Sequence, residues 1–77
     1  MDARERFKAK YHAYLLSDEW RNRRACRAYM DGHRCLKCGS TENLETHHVT
    51  YERLFRERMR DLITLCHKCH DKYHRGV

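Results

Sequence analysis

The sequence predicts a small α+β domain stapled by a metal ion, and three observations carry that expectation. Two stretches before Gly32 show helical spacing, two short apolar runs after it read as strands, and two C-x2-C pairs frame the second part. A chain of 77 residues suffices for one domain and is too short for two. Charged residues make up 36% and the mean hydropathy is -1.07, so little apolar material is available for a core. The candidates are Phe7, Tyr11, Leu15, Leu16, Trp20, Tyr29, Leu44, Leu62, Ile63 and Leu65. Domains of this size commonly need a staple, and five cysteines with seven histidines point to a metal as the staple.

From Ala3 to about Leu16 the apolar positions Phe7, Tyr11, Tyr14 and Leu15 recur as on one helix face. Ser17 followed by Asp18 and Glu19 has the form of an N-cap with acids in the first turn. A second helix is expected from Asp18 to about Met30, closed by Asp31-Gly32, with Trp20 and Tyr29 inward and Cys26 a buried, inert thiol. Residues 1–32 thus form a helical lead-in, and residues 33–77 a metal-bearing core within one compact domain. Leu44 to Val49 is a strand candidate, Tyr51 to Arg60 a polar loop or irregular helix, and Leu62 to Leu65 a buried strand. A last helix is expected to start at His70 and run to about His74.

Lys and Arg outnumber Asp and Glu by 17 to 11, for a net charge of +6 and a pI near 9.3. Arginine dominates the excess, and its planar fork suits phosphate. A nucleic-acid partner and a merely solvated surface account for this charge equally well. The N-terminus lacks the apolar stretch of a signal peptide, and no run is long enough to span a membrane. Paired cysteines in such a chain read as metal ligands in a reducing, cytoplasmic setting.

Cys35, Cys38, Cys66 and Cys69 form the strongest local signal. Two C-x2-C pairs can present four thiolates to one tetrahedral zinc, and such a site is closed, hence structural. The histidines divide differently. His12 and His33 are isolated, and His67 is expected to be exposed on the second knuckle. His47 and His48 are adjacent on a strand, where side chains alternate faces, so one can serve as a ligand and the other as a base. His70 and His74 are spaced i, i+4, on one helix face. A hairpin packed on that helix would bring His47, His70 and His74 together.

The run from Cys35 to His74 resembles the HNH endonucleases with a four-cysteine zinc site. The matching elements are Cys35-x2-Cys38-Gly39, Leu44-Glu45-Thr46-His47-His48-Val49-Thr50-Tyr51, Glu57, Asp61-Leu62-Ile63-Thr64-Leu65-Cys66-x2-Cys69-His70, and His74. The upstream run Tyr14-Leu15-x-Ser17-x-x-Trp20 is similar to the helical lead-in of small members. The resemblance implies the ββα-metal fold, with His48 as general base and His47, His70 and His74 as ligands of a catalytic divalent ion. Asp61 falls at the position of the motif's middle Asn, which holds the catalytic loop; Asp can accept the corresponding hydrogen bonds but cannot donate amide ones.

The implied activity is metal-dependent cleavage of DNA phosphodiester bonds with low intrinsic sequence specificity. A neutral imidazole suits deprotonation of water near neutral pH, and His48 is expected to be aligned by a backbone carbonyl on its other nitrogen. The ion would act on the scissile phosphate as a Lewis acid. Three imidazoles favour Mn²⁺, Ni²⁺, Co²⁺ or Zn²⁺ over Mg²⁺. Arg53, Arg56, Arg58, Arg60, Lys72 and Arg75 flank these elements as candidate phosphate contacts. Arg21, Arg23, Arg24 and Arg27 form a basic helix face, either DNA-facing or solvated. A non-catalytic zinc-ribbon module binding nucleic acid, and a nuclease-like subunit dependent on phage packaging or other DNA-processing proteins, are the rival readings. A homodimer is a further candidate assembly.

Overall fold

The computed structural model describes residues 2–75, with side chains over residues 2–73. Helix α1 (Ala3–Leu15) starts at Asp2, whose carboxylate accepts from Glu5 N at 2.9 Å. Ser17 breaks the chain between helices. Its Oγ donates to Tyr14 O at 2.6 Å and accepts from Trp20 N at 3.2 Å, so one hydroxyl ends α1 and caps α2 (Asp18–Met30). Gly32 at φ +73° turns the chain out of α2, as its sequence position implies.

Strands β1 (Leu44–His48) and β2 (Leu62–Cys66) pair antiparallel, from Leu44 opposite Cys66 to His48 opposite Leu62. The connection carries a single 3-10 turn at Met59–Asp61. Helix α3 (His67–Arg75) follows β2 without a loop and packs on the hairpin, giving three helices and one two-stranded sheet among the described residues. This is an α+β, ββα-metal architecture with two N-terminal helices.

Two small apolar clusters hold it together. Tyr14, Trp20 and Leu62 form one, with Leu15, Phe55 and Met59 packed against them; Cys35, Leu65 and Cys66 form the other, with Leu44, Ile63 and Cys69. Polar groups join the layers where apolar area is scarce. Asp31, buried at the end of α2, accepts from Thr64 N at 2.9 Å and from the Arg27 guanidinium, tying α2 to β2. Arg27 Nη1 also donates to Met59 O at 2.9 Å, and Arg23 Nε to Glu57 O at 3.2 Å.

Several expectations change here. Phe7, Leu16 and Tyr29 are exposed rather than core, whereas Tyr14 is buried. Helical spacing alone does not say which stripe of a short polar helix meets the sheet. Cys26 is exposed rather than buried. Arg23 and Arg27 point inward to loop carbonyls, so neither belongs to a DNA-facing or freely solvated surface. Helix α3 begins at His67, one turn earlier than expected, because the second knuckle is itself the first helical turn.

Candidate active site and metal centre

The two knuckles bring Cys35, Cys38, Cys66 and Cys69 together, with one sulfur from each lying within 4.8 Å of all the others. Gly39 at φ +81° reverses the first knuckle, and Gly39 N donates to Cys35 O at 2.8 Å. Sulfurs about 2.3 Å from a tetrahedral zinc lie about 3.8 Å apart, and Cys38 Sγ and Cys66 Sγ are 3.6 Å apart. Burial works against ionisation of Cys35, but backbone N–H groups around the knuckle bring its thiol down to about 6. Hydrogen bonds with the neighbouring sulfurs push Cys69 up to about 12. Four thiols crowded in this way need a divalent cation to ionise together, which is the chemistry of a closed zinc site.

Alternation along β1 sends His47 and His48 to opposite faces, and both are buried. His47 faces α3, its ring 4.9 Å from His70 and 4.4 Å from Tyr73 between centroids. The side chains of His74 and Arg75, in the last turn of α3, lie outside the described residues. His70 Nδ1 is 2.6 Å from Glu45 Oε1, and His67 Nδ1 is 2.8 Å from Glu45 Oε2. The His70 bond, ahead of burial, holds the Glu45 carboxyl below its ordinary range. An imidazole pair flanked by a carboxylate is a donor set suited to a first-row divalent ion.

His48 lies on the other face in an aromatic sandwich. The Trp20 ring stacks on it at 4.9 Å and 7°, and Tyr51 covers it from the opposite side at 4.7 Å and 17°. Only the ring edge is left for polar contact. Along that edge, Nε2 lies 2.7 Å from Glu57 Oε2. Tyr14 donates its hydroxyl to Glu57 Oε1, and Arg23 Nη1 donates to the Tyr14 oxygen at 3.0 Å. Burial alone would raise Glu57; the hydrogen bonds from Tyr14 and His48 overcome it and keep the carboxyl below its ordinary range. Burial of the Tyr14 hydroxyl, then its hydrogen bond to Glu57 and the Glu57 charge, pushes Tyr14 up to about 12. An anionic carboxylate only accepts, so Nε2 must carry the proton and the lone pair falls on Nδ1. The partner of His48 in this structure is thus a carboxylate rather than the expected backbone carbonyl.

His48 and His70 line one cleft of about 450 Å³, together with Tyr11, Trp20, Arg24 and Tyr51. Asp61, 1% exposed, anchors the loop between the strands. It accepts from Arg53 through both oxygens, and from Arg58 N at 2.9 Å. Every donor here comes from elsewhere, and Asp61 acts as acceptor only. Arg53 is therefore engaged within the loop, whereas Arg56, Arg58, Arg60 and Lys72 are exposed.

Sequence reasoning missed Glu57, Glu45, Tyr14 and Trp20 as site residues. Glu57 and Glu45 stood inside the quoted motif without a role, and their nine- and twenty-five-residue separations from His48 and His70 concealed the pairing. Tyr14 and Trp20 resembled ordinary core positions.

A family model described as HNH endonuclease matches residues 35–76. Comparison with curated proteins and with solved structures returns no match. The matched segment begins at Cys35, so the helices supplying Tyr14, Trp20 and Arg23 lie outside it.

Proposed function

Because the chain belongs to the HNH endonuclease family, we propose that it is a metal-dependent DNA endonuclease in which His48 is the general base. The observation that carries this reading is the His48–Glu57 pair beside the His47–His70 pair, one on each face of β1. His47 and His70, with His74 one turn on, would hold the catalytic ion, which supplies Lewis-acid stabilisation of the phosphorane and the leaving 3′ oxygen.

The protein's own groups do the rest. Glu57 accepts a hydrogen bond from Nε2–H and so fixes the tautomer, and Nδ1 removes a proton from the attacking water. Trp20 and Tyr51 prevent the ring from rotating away from that geometry. Arg24 stands at the cleft, and Arg56, Arg58, Arg60 and Lys72 hold the flanking phosphates by charge. The products carry 5′-phosphate and 3′-hydroxyl ends. Zinc at the four cysteines is structural, and the imidazole set favours Mn²⁺, Ni²⁺, Co²⁺ or Zn²⁺ over Mg²⁺ at the catalytic position. None of the described helices is long and apolar enough to cross a membrane.

Incubation of supercoiled plasmid with Mn²⁺ tests the proposal. Wild type nicks it and His48→Ala does not. A His48→Ala variant that still nicks removes His48 from the mechanism. Wild-type protein that binds DNA without cutting it, under every divalent metal, leaves the non-catalytic binding module instead.

A further inference from the structure

The second knuckle reads Cys66-His67-Lys68-Cys69-His70, so each of its two thiols is followed directly by a histidine. The first turn of α3 turns both imidazoles to one acceptor. Glu45 of β1 meets His67 Nδ1 at 2.8 Å with one oxygen and His70 Nδ1 at 2.6 Å with the other. His47 lies two residues further along the same face of β1, its ring 4.9 Å from that of His70. Glu45 and His47 therefore flank His70 from a single strand, while Cys69 fixes its backbone from the other side.

We propose that Glu45 is a positioning residue for the catalytic ion: it holds His70 in the Nδ1–H tautomer, which directs the Nε2 lone pair to the metal. The inference rests on the reading of His47 and His70 as ligands. An ionised carboxylate has no proton to give, so the ring that meets it must donate. A neutral imidazole protonated at Nδ1 can ligate only through Nε2. The same contact strengthens the ring as a donor and holds its plane, which is how carboxylates behind metal-bound histidines act. The contact also ties the two metal sites together, since a shift of Cys69 in the knuckle moves His70 against Glu45. His67 shares the carboxylate but is largely exposed, so it steadies Glu45 from the solvent side.

Titration of Mn²⁺ into zinc-loaded protein, followed by calorimetry, tests the proposal beside long-range proton–nitrogen NMR of the histidine rings. In metal-free catalytic sites of the wild type, His70 carries its proton on Nδ1, and in Glu45→Ala it moves to Nε2. Glu45→Ala binds Mn²⁺ about 10–100-fold more weakly than wild type. Glu45→Gln keeps an acceptor oxygen and falls between them, which preserves the test should the alanine variant fail to fold. Wild-type Mn²⁺ binding with an unchanged affinity in both variants, or a His70 proton on Nε2 in the wild type, overturns the role of Glu45 alone. Wild-type protein that binds no second ion overturns the ligand assignment and this inference together.

Discussion

Glu57 Oε2 lies 2.7 Å from His48 Nε2, and the carboxylate side chain is sealed from solvent. Its other oxygen is held by Tyr14 of α1, itself held by Arg23 of α2, so two helices distant in sequence brace the orientation of the imidazole. Glu57→Gln keeps the shape but, with its amide nitrogen turned to Nε2, favours the opposite tautomer. Plasmid cleavage falls about 10–100-fold with Mn²⁺ affinity retained. Glu57→Ala leaves His48 and Tyr14 without their common acceptor and lowers stability by about 3–5 kcal/mol, read by denaturant unfolding. Full activity in Glu57→Gln would show that the carboxylate merely fills space.

Trp20 is 5% exposed and belongs both to the apolar cluster and to the wall against His48. Trp20→Ala should cost about 3–5 kcal/mol. Trp20→Phe keeps a stacking surface and should recover most of that stability, with a loss of cleavage larger than its loss of folding. Equal losses in both assays would reduce Trp20 to a core residue.

The four thiols stand where a chain with this little apolar material needs its staple. Removal of zinc by a strong chelator should abolish cooperative unfolding and amide dispersion, since structural zinc contributes on the order of 10–16 kcal/mol in small domains. Cys35→Ser should behave like the chelated protein. A chelated chain with an unchanged melting transition would refute the structural role.

Asp31 is held below its ordinary value of 3.8. Burial opposes this, and the Arg27 and Thr64 hydrogen bonds prevail. A carboxyl depressed in the folded state contributes stability above its unfolded value, and that contribution is lost as pH falls through the folded one. Asp31→Asn should therefore be less stable than wild type at neutral pH, with the deficit narrowing below about pH 4. Thermal melts across acidic pH check it, and a pH-independent difference would exclude the ionic contribution.

Arg53 and Arg56 are near neighbours with different engagements. Arg53 is bound to Asp61, whereas Arg56 is exposed. Arg56→Ala should weaken DNA binding and reduce the salt slope by about one without changing the melt. Arg53→Ala should lower the melting temperature first. The reverse pattern would move the DNA-facing surface to Arg53.

Much of the architecture was legible because it depends on local chemistry. Ser17 as a cap, Gly32 as a stop, two short strands and two cysteine knuckles each follow from a few adjacent residues. Cys26 and Leu16 are exposed against expectation, since burial along short, polar helices depends on what they meet. Glu57 and Glu45 were visible as letters of the motif, yet a carboxylate in a sequence does not say which imidazole it will reach.

Sequence alone determined the four-cysteine staple, the hairpin and helix around it, and the placement of His47 and His48 on opposite faces, because spacing and strand alternation are local rules. Only the tertiary structure decided how each histidine is held. Glu57 with Tyr14, Arg23 and Trp20 secures His48, and Glu45 meets His70, because a hydrogen bond across 9 to 43 residues forms only once the layers are packed.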